Sequence, residues 1–374
     1  MPDRGFRSFP FAVFLRLIAG TGRAGPTRRL KRKKAGPVGL FDWFKKHWRD
    51  KPRGGPKAVN LHDTADYSPV SSVPLAAGKV MLRAGVYTTV GNYREHNEDN
   101  YFVPGFASLR PRDTLEHFPK SSLESFSSGI GPGEAPGPAP PETAPALGPP
   151  GLFIVADGMG GQLAGERASQ MAVDIIPVEL QKRLGNEPEA LDDRAVRAAV
   201  REAVGRSNDE ILAQSHLDSD CVSMGTTVVL TFFHKDRVYI AGIGDSRAYR
   251  LRDGKLELFT EDHSLAEALR KAGTIKADEV ESHKFKHVLY LYLGSRDVGP
   301  GPEEVKSLDV RLGDRFLLAT DGLTGVVRDD QIAAILAGHG DPQRAAETLG
   351  QLAIESQSKD NITCVVVHVL SAGT

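Results

Sequence analysis

The chain has 374 residues, with 47 Lys and Arg against 48 Asp and Glu. It has two cysteines, Cys221 and Cys364, and neither sits in a CxxC pattern, so a disulfide framework and a cysteine zinc site are both excluded and a reducing compartment is expected. No run of about 18 apolar residues occurs, so the sequence offers no membrane-spanning helix.

Charge is unevenly placed along the chain. Residues 1–58 carry a net +13 and the remainder a net −14. An acidic body argues against a nucleic-acid enzyme and suits a protein that collects cations.

The basic arm, residues 1–80, contains the run Arg23–Lys34 and then Gly39–Lys51, in which Leu40, Phe41, Trp43, Phe44 and Trp48 interleave with Lys45, Lys46 and Arg49. On a helix Phe41, Phe44 and Trp48 share a face, and a basic amphipathic helix can lie on an anionic membrane surface. The alternative is a solvated, mostly disordered tail. No cleavable secretory signal is read here, and a start nearer Val38 is a further reading. Strand-like residues Asn100–Val103 and Leu152–Ala156 flank a Pro- and Gly-rich stretch at about 104–150, which cannot bury a core. It reads as a long disordered insert between neighbouring strands, because loop closure costs grow only logarithmically with length.

Two helical stripes follow, Gly161–Ile176 and Arg194–Gln214, with apolar residues at three- and four-residue spacing. Strands are predicted at Thr226–Phe233, Val238–Ile243, Ala248–Arg252 and Leu256–Thr260, with Asp253-Gly254 as a hairpin turn. Ser264 to Glu267 is a capping box that opens a helix through Ala272. Arg315–Ala319 and Thr363–Leu370 read as strands, and Asp341-Pro342 starts another helix. Antiparallel-looking strands with long helices between them predict antiparallel sheets covered by helices.

Acids stand where apolar strands begin or end. Asp157 follows Leu-Phe-Ile-Val-Ala, Asp321 follows Phe-Leu-Leu-Ala-Thr, and Asp245 follows Tyr-Ile-Ala-Gly-Ile-Gly. Glu98-Asp99 and Asp360-Asn361 each precede a strand. Acids gathered at strand ends repel one another unless a positive group lies between them, and converging oxygens are what hard divalent cations require. Each acid alone could be a turn or cap residue.

The motifs fall in a recognisable order. Arg94-x-x-Asn97-Glu98-Asp99 is followed by Asp157-Gly-Met-Gly-Gly161, Gly165-Glu166, Met224-Gly-Thr-Thr227 and Gly244-Asp-Ser-Arg247. Thr260-x-Asp262-His263-Ser264, Ala319-Thr-Asp321-Gly-Leu323 and Ser358-x-Asp360-Asn361-Ile-Thr363 complete the series. The chain resembles the metal-dependent PP2C-type protein serine/threonine phosphatases of the bacterial branch, over about Met81 to Leu370. That resemblance implies an α+β fold, a four-layer α-β-β-α sandwich of two antiparallel sheets flanked by helices, spanning 81–372. It also implies two Mn²⁺ or Mg²⁺ ions, with a weaker third ion as a further reading.

Carried over by position, Asp157 would bridge both ions, the Gly158 carbonyl would bind one, and Asp321 and Asp360 the other. Glu98 and Asp99 would hold water, and Arg94 would grip the substrate phosphate. Asp245 and Asn361 would be structural or accessory. Two cations about 3.5–4 Å apart acidify a shared water, and the hydroxide attacks phosphorus with no protein nucleophile. The resemblance further implies phosphorylated proteins as substrates, a Ser/Thr kinase system as counterpart, no nucleic acid, a monomer, and a cytoplasmic location, with peripheral membrane contact through the arm as the alternative.

Two departures stand out. Gln162 and Met159 occupy positions where relatives carry a candidate proton-donating histidine, which leaves His96, His263 or water for that role. Asp218 and Asp220 precede Gly225 without matching the expected third-ion acid. The segment from Ser264 to Arg296 corresponds to a flap, whose Lys284, Lys286 and His287 either meet a phosphopeptide or are solvated charge. Other readings are a phosphatase of anti-sigma-factor antagonists and a catalytically weak scaffold.

Overall fold

The computed structural model describes residues 75–77, 80–104, 148–160, 164–218, 221 and 223–372. The basic arm up to 74, most of the Pro-rich insert and Gln162 therefore lie outside the described residues.

Twelve described strands form two antiparallel sheets. The first contains β1 (Leu75–Ala77), β2 (Val80–Thr89), β8 (Arg247–Arg252), β9 (Lys255–Leu258), β11 (Arg315–Ala319) and β12 (Ile362–Ser371). Their order is β1-β2-β12-β11-β8-β9. The second contains β3 (Asp99–Phe102), β4 (Leu152–Met159), β6 (Val228–His234), β7 (Arg237–Ile243) and β10 (Lys306–Asp309), in the order β10-β7-β6-β4-β3. A two-residue strand, β5 (Gly225–Thr226), pairs with the end of β4. The strand β1 lies before the domain boundary at 81 expected from sequence, and its register Leu75↔Leu82 makes it an edge extension of the first sheet.

The strands alternate by side. Val80, Leu82, Ala84 and Val86 of β2 point between the sheets, where they join Phe153, Phe233, Phe316 and Val365 in one buried cluster. Two helices, α1 (Ala164–Leu184) and α2 (Asp193–Leu217), cover the second sheet through Ala168, Ile176, Leu180, Val200 and Ile211. On the first sheet, α5 (Asp321–Thr324), α6 (Asp329–Gly338) and α7 (Pro342–Glu355) bury Leu323, Ile332, Leu336 and Leu349 against Leu317, Cys364 and Val366. The order of layers is helix, sheet, sheet, helix.

Local chemistry explains most boundaries. Asp192 caps α2 by accepting from Ala195 N, and Asp341 caps α7 with Pro342 in its first turn. Asp253 and Gly254 both have positive φ, 52° and 75°, the geometry of a tight two-residue hairpin. Three expectations are corrected. The helix expected to end at Ile176 runs through Pro177 to Leu184. Proline removes one backbone bond, but Leu180 and Leu184 continue the buried stripe, and that packing outweighs a penalty of about 3 kcal/mol. The strand expected over Thr226–Phe233 breaks at Thr227, which turns its N–H to Asp157 O (2.8 Å). The strand expected to reach Thr260 stops at Leu258, and the Thr260 hydroxyl instead accepts from Ala248 N (3.1 Å).

Residues His263–Tyr290 form a separate compact unit. Within it Ser264 accepts from Glu267 N at 3.3 Å and caps a short helix, α3 (Leu265–Lys271). A second, α4 (Ala277–Val280), follows, and Tyr290 N returns to His263 O (2.9 Å).

Candidate functional site

The strand-end acids come together at one end of both sheets. In the second sheet Asp99 opens β3 directly opposite Asp157 on β4. In the first sheet Thr320 follows β11 and donates its hydroxyl to Asp99 Oδ2 at 3.1 Å. That bond crosses between the sheets and brings the next residue, Asp321, to the same place. Asp360 arrives on the turn before β12, whose first residue, Ile362, pairs with Thr89 at the end of β2. Asp245 sits in the turn that follows β7 and is almost fully buried.

Electrostatics record this convergence. Burial first, then repulsion from Asp99, Asp321, Asp360 and Asp245, holds the Asp157 carboxyl well above the usual carboxylate range. Burial pushes Asp99 up to about 8, with Asp360 and Asp321 adding to it and hydrogen bonds from Thr363 and Thr320 opposing. Asp245 is raised by burial, then by Asp321 and Asp262. Asp360 is raised by burial and Asp321, with Arg94 working against both. So the acid from the Gly-Asp-Ser-Arg motif belongs to the same cluster as the others.

Arg94 is the cation within the group. Its Nη2 donates to Asp360 Oδ2 at 2.5 Å, with both side chains about a third exposed. Burial weakens its hold on its proton, but Asp360, Asp157 and Glu98 together strengthen it overall. Its loop, 90–97, is fastened by Asn361. That side chain is 3 % exposed, donates through Nδ2 to Val90 O (3.0 Å) and His96 O (2.9 Å), and accepts at Oδ1 from Glu98 N (2.9 Å). Asn361 therefore ties the loop bearing Arg94 and Glu98 to the turn bearing Asp360.

Backbone closeness requires glycine at Gly158. Its N–H donates to Glu98 O (3.1 Å), and a Cβ there would stand 2.1 Å from Gly165 O and 2.6 Å from Glu98 O. The main chain of β4 thus lies against the start of α1 and the Glu98 turn without an intervening side chain.

Sequence reading missed a layer of hydroxyls. Thr88 and Thr363 share a bond of 2.7 Å, Thr363 N donates to Thr320 Oγ1 (3.1 Å), and Thr227 Oγ1 meets both Asp157 N (3.0 Å) and Ser246 Oγ (2.7 Å). The available signal was a threonine beside an apolar run, at Thr88, Thr227, Thr320 and Thr363. Arg247 also went unassigned. It holds Asp262 with Nε at 3.0 Å and Nη2 at 2.7 Å. Met159, which stands where relatives carry a histidine, closes β4 opposite Gly225; of the proton-donor candidates, His96 contributes its carbonyl to Asn361 and His263 sets its ring edge-on to Tyr290. Asp218 accepts from Arg167 Nη1 at 2.9 Å, and Asp220 lies outside the described residues.

The donor set fits hard divalent cations. It consists of oxygens alone, and Asp99 and Asp157 are raised by burial and neighbouring acids, which a cation would relieve. Asp99 Oδ1 is buried with no hydrogen-bond partner. Among the described residues no three His, Cys, Asp or Glu side chains are gathered closely enough to hold an ion by themselves.

Buried acids from both sheets beside an arginine are an arrangement suited to cations and a phosphate group. The chain belongs to the protein phosphatase 2C family, whose model matches residues 148–352. It is 35 % identical over 219 residues to the serine/threonine protein phosphatase PstP of Mycobacterium tuberculosis (strain H37Rv), covering 59 % of this chain and 40 % of that protein. It is 33 % identical over 219 residues to the serine/threonine phosphatase stp of Listeria monocytogenes serovar 1/2a, covering 58 % and 84 %. The crystal structure of Mycobacterium tuberculosis PstP/Ppp superposes with a TM-score of 0.58 at 27 % identity, over 78 % of this chain and 99 % of that one. A structure of the PstP catalytic domain in complex with two manganese ions gives 0.56 at 27 % identity, with the same coverage. Among the described residues no helix is long and apolar enough to cross a membrane.

Proposed function

We propose that this chain is a metal-dependent protein serine/threonine phosphatase that hydrolyses phosphoserine and phosphothreonine in proteins. The observation that carries the reading is the bond from Thr320 to Asp99, which joins the acids of two sheets into one buried cluster beside Arg94. Asp157, the Gly158 carbonyl, Asp321 and Asp360 would hold two Mn²⁺ or Mg²⁺ ions, with Glu98 and Asp99 ordering water around them. Such ions supply positive charge that acidifies water and screens the phosphate from its attacker. A third, weaker ion belongs to this reading, with no residue assigned to it.

The protein's own groups have separable tasks. Arg94 presents a planar fork to the phosphate oxygens, which fixes the phosphorus in line with the attacking water. Asn361 sets the distance between that fork and the acids. Asp245 is buried close enough to Asp321 to feel its charge and would serve as a structural or accessory acid of the cluster. No cysteine nucleophile takes part: Cys364 is fully buried, and burial pushes its thiol up to about 12. The partners in this reading are phosphorylated proteins and a Ser/Thr kinase system, met by a monomer in the cytoplasm, with peripheral membrane contact through the basic arm as the alternative.

The test is turnover of p-nitrophenyl phosphate and a phosphothreonine peptide in Mn²⁺, in Mg²⁺ and in EDTA. Activity should require the metal and fall by at least about 100-fold in Asp321→Asn, the equivalent of a few kcal/mol of lost transition-state stabilisation. Folded, metal-loaded protein that turns over neither substrate would overturn the reading in favour of a scaffold.

A further inference from the structure

Tyr93 immediately precedes Arg94 and is 40 % exposed, yet it is not a loose surface ring. Its hydroxyl donates to Gln357 Oε1 at 2.9 Å, across 264 positions of sequence. Arg94 reaches Asp360 on the same turn, three residues further on. The ring and the guanidinium therefore share one anchoring segment, 357–360, whose Asp360 belongs to the acid cluster.

Gln357 supplies an independent observation. It lies just past the end of α7, where Ser358 N turns back to Ala353 O (3.1 Å), and its φ is +61°. That left-handed position after a helix ordinarily takes glycine, because a Cβ is strained there. A glutamine at this place keeps the strain and gains a side-chain acceptor, and the acceptor is used by Tyr93. The helix cap is spent on fixing an exposed aromatic beside the phosphate-binding arginine.

A tethered ring has an apolar face, few rotatable bonds to freeze and a fixed distance from Arg94, as recognition surfaces have. The phosphate of a bound substrate is held by Arg94 and the cations, so what reaches Tyr93 is the residue next to the phosphorylated one. We propose that Tyr93, locked by Gln357, is a specificity-determining residue that selects phosphopeptides with an apolar side chain adjacent to the phosphoserine or phosphothreonine. This rests on the phosphatase reading above.

The experiment compares kcat/KM for two phosphothreonine peptides, one with leucine and one with glycine on both sides, and for O-phosphothreonine, which has no neighbours. Wild-type protein should favour the leucine peptide by about tenfold, mostly through KM. Tyr93→Ala should erase that preference and leave O-phosphothreonine within about twofold of wild type. Gln357→Gly is the decisive second variant, because it relieves backbone strain. It should melt no lower than wild type and yet lose most of the preference. A preference that survives both substitutions overturns the proposal. So does an equal loss on all three substrates, which would make Tyr93 a positioning residue for Arg94. Wild-type protein inert toward every substrate would instead remove the phosphatase reading itself.

Discussion

His368 and Asp99 are both buried ionisable groups, and they meet the cost of burial differently. His368 is 5 % exposed on β12, directly across from Arg83 on β2 and Arg315 on β11. Burial first, then Arg315 and Arg83, lowers its pKa to about 4, with the Gly340 backbone and Asp341 acting the other way. It is therefore neutral in the folded protein, whereas in the unfolded chain it titrates near 6.5. Protonation favours the unfolded state, so the stability His368 allows is complete above pH 6.5 and is lost as pH falls toward 4. At pH 5 the penalty is about 2 kcal/mol. Urea unfolding in EDTA at pH 7.5 and pH 5 should show wild type losing about that much more between the two than His368→Gln. Equal losses would mean that the site is hydrated enough to take the proton. Asp99 takes the opposite course and keeps a proton: burial, Asp360 and Asp321 push it up to about 8, so without a cation it is mostly neutral at pH 7.

Glycines decide how closely α7 can lie on the first sheet. A Cβ on Gly85 would stand 2.3 Å from Gln343 N and Cα, and one on Gly350 would stand 2.1 Å from the Tyr87 ring. The contact at Gly85 is with backbone, which cannot rotate aside, and the Gln343 side chain pins the same spot by bonding Val86 N and O, both at 3.0 Å. Gly85→Ala should thus destabilise the protein by about 1–3 kcal/mol in thermal unfolding, as other overpacked contacts do. An unchanged melting temperature would show that the helix lifts off freely. Sequence alone could place the start of α7, because Asp341-Pro342 is a local signal. It could not assign Gly85, whose meaning depends on a helix more than 250 residues later. The same distinction explains Pro177. The local rule says that proline ends a helix, while the packing of Leu180 and Leu184 keeps it going. Tertiary contacts also broke the expected strand at Thr227, whose N–H serves Asp157 instead of the ladder.

At the scale of the whole molecule the candidate site is a meeting of strand ends from both sheets. The acids were legible because each interrupts an apolar run, and a charge at that place has no packing reason. Thr320, Thr363 and Asn361 were harder to read, because their task is to join segments, and only the fold shows which segments meet. The fold also makes the cluster a liability. Four carboxylates, Asp99, Asp157, Asp245 and Asp360, are raised by burial and by neighbouring acids, Asp321 beside every one of them, so the metal-free protein carries the cost as lost stability. Function and stability are therefore opposed at Asp157, the acid on which Asp99, Asp321, Asp360 and Asp245 all act. Two measurements follow from one variant. In EDTA, Asp157→Asn should be as stable as wild type or more so, by about 1 kcal/mol, because the amide keeps the shape and removes a charge. In saturating Mn²⁺, wild type should gain about 2.7 kcal/mol at one hundred times the dissociation constant, while the variant gains far less. Calorimetric melting with and without metal reads both. A variant that is less stable in EDTA would mean that Asp157 serves the fold through its charge. A variant stabilised by Mn²⁺ as much as wild type would place the cation elsewhere on the chain.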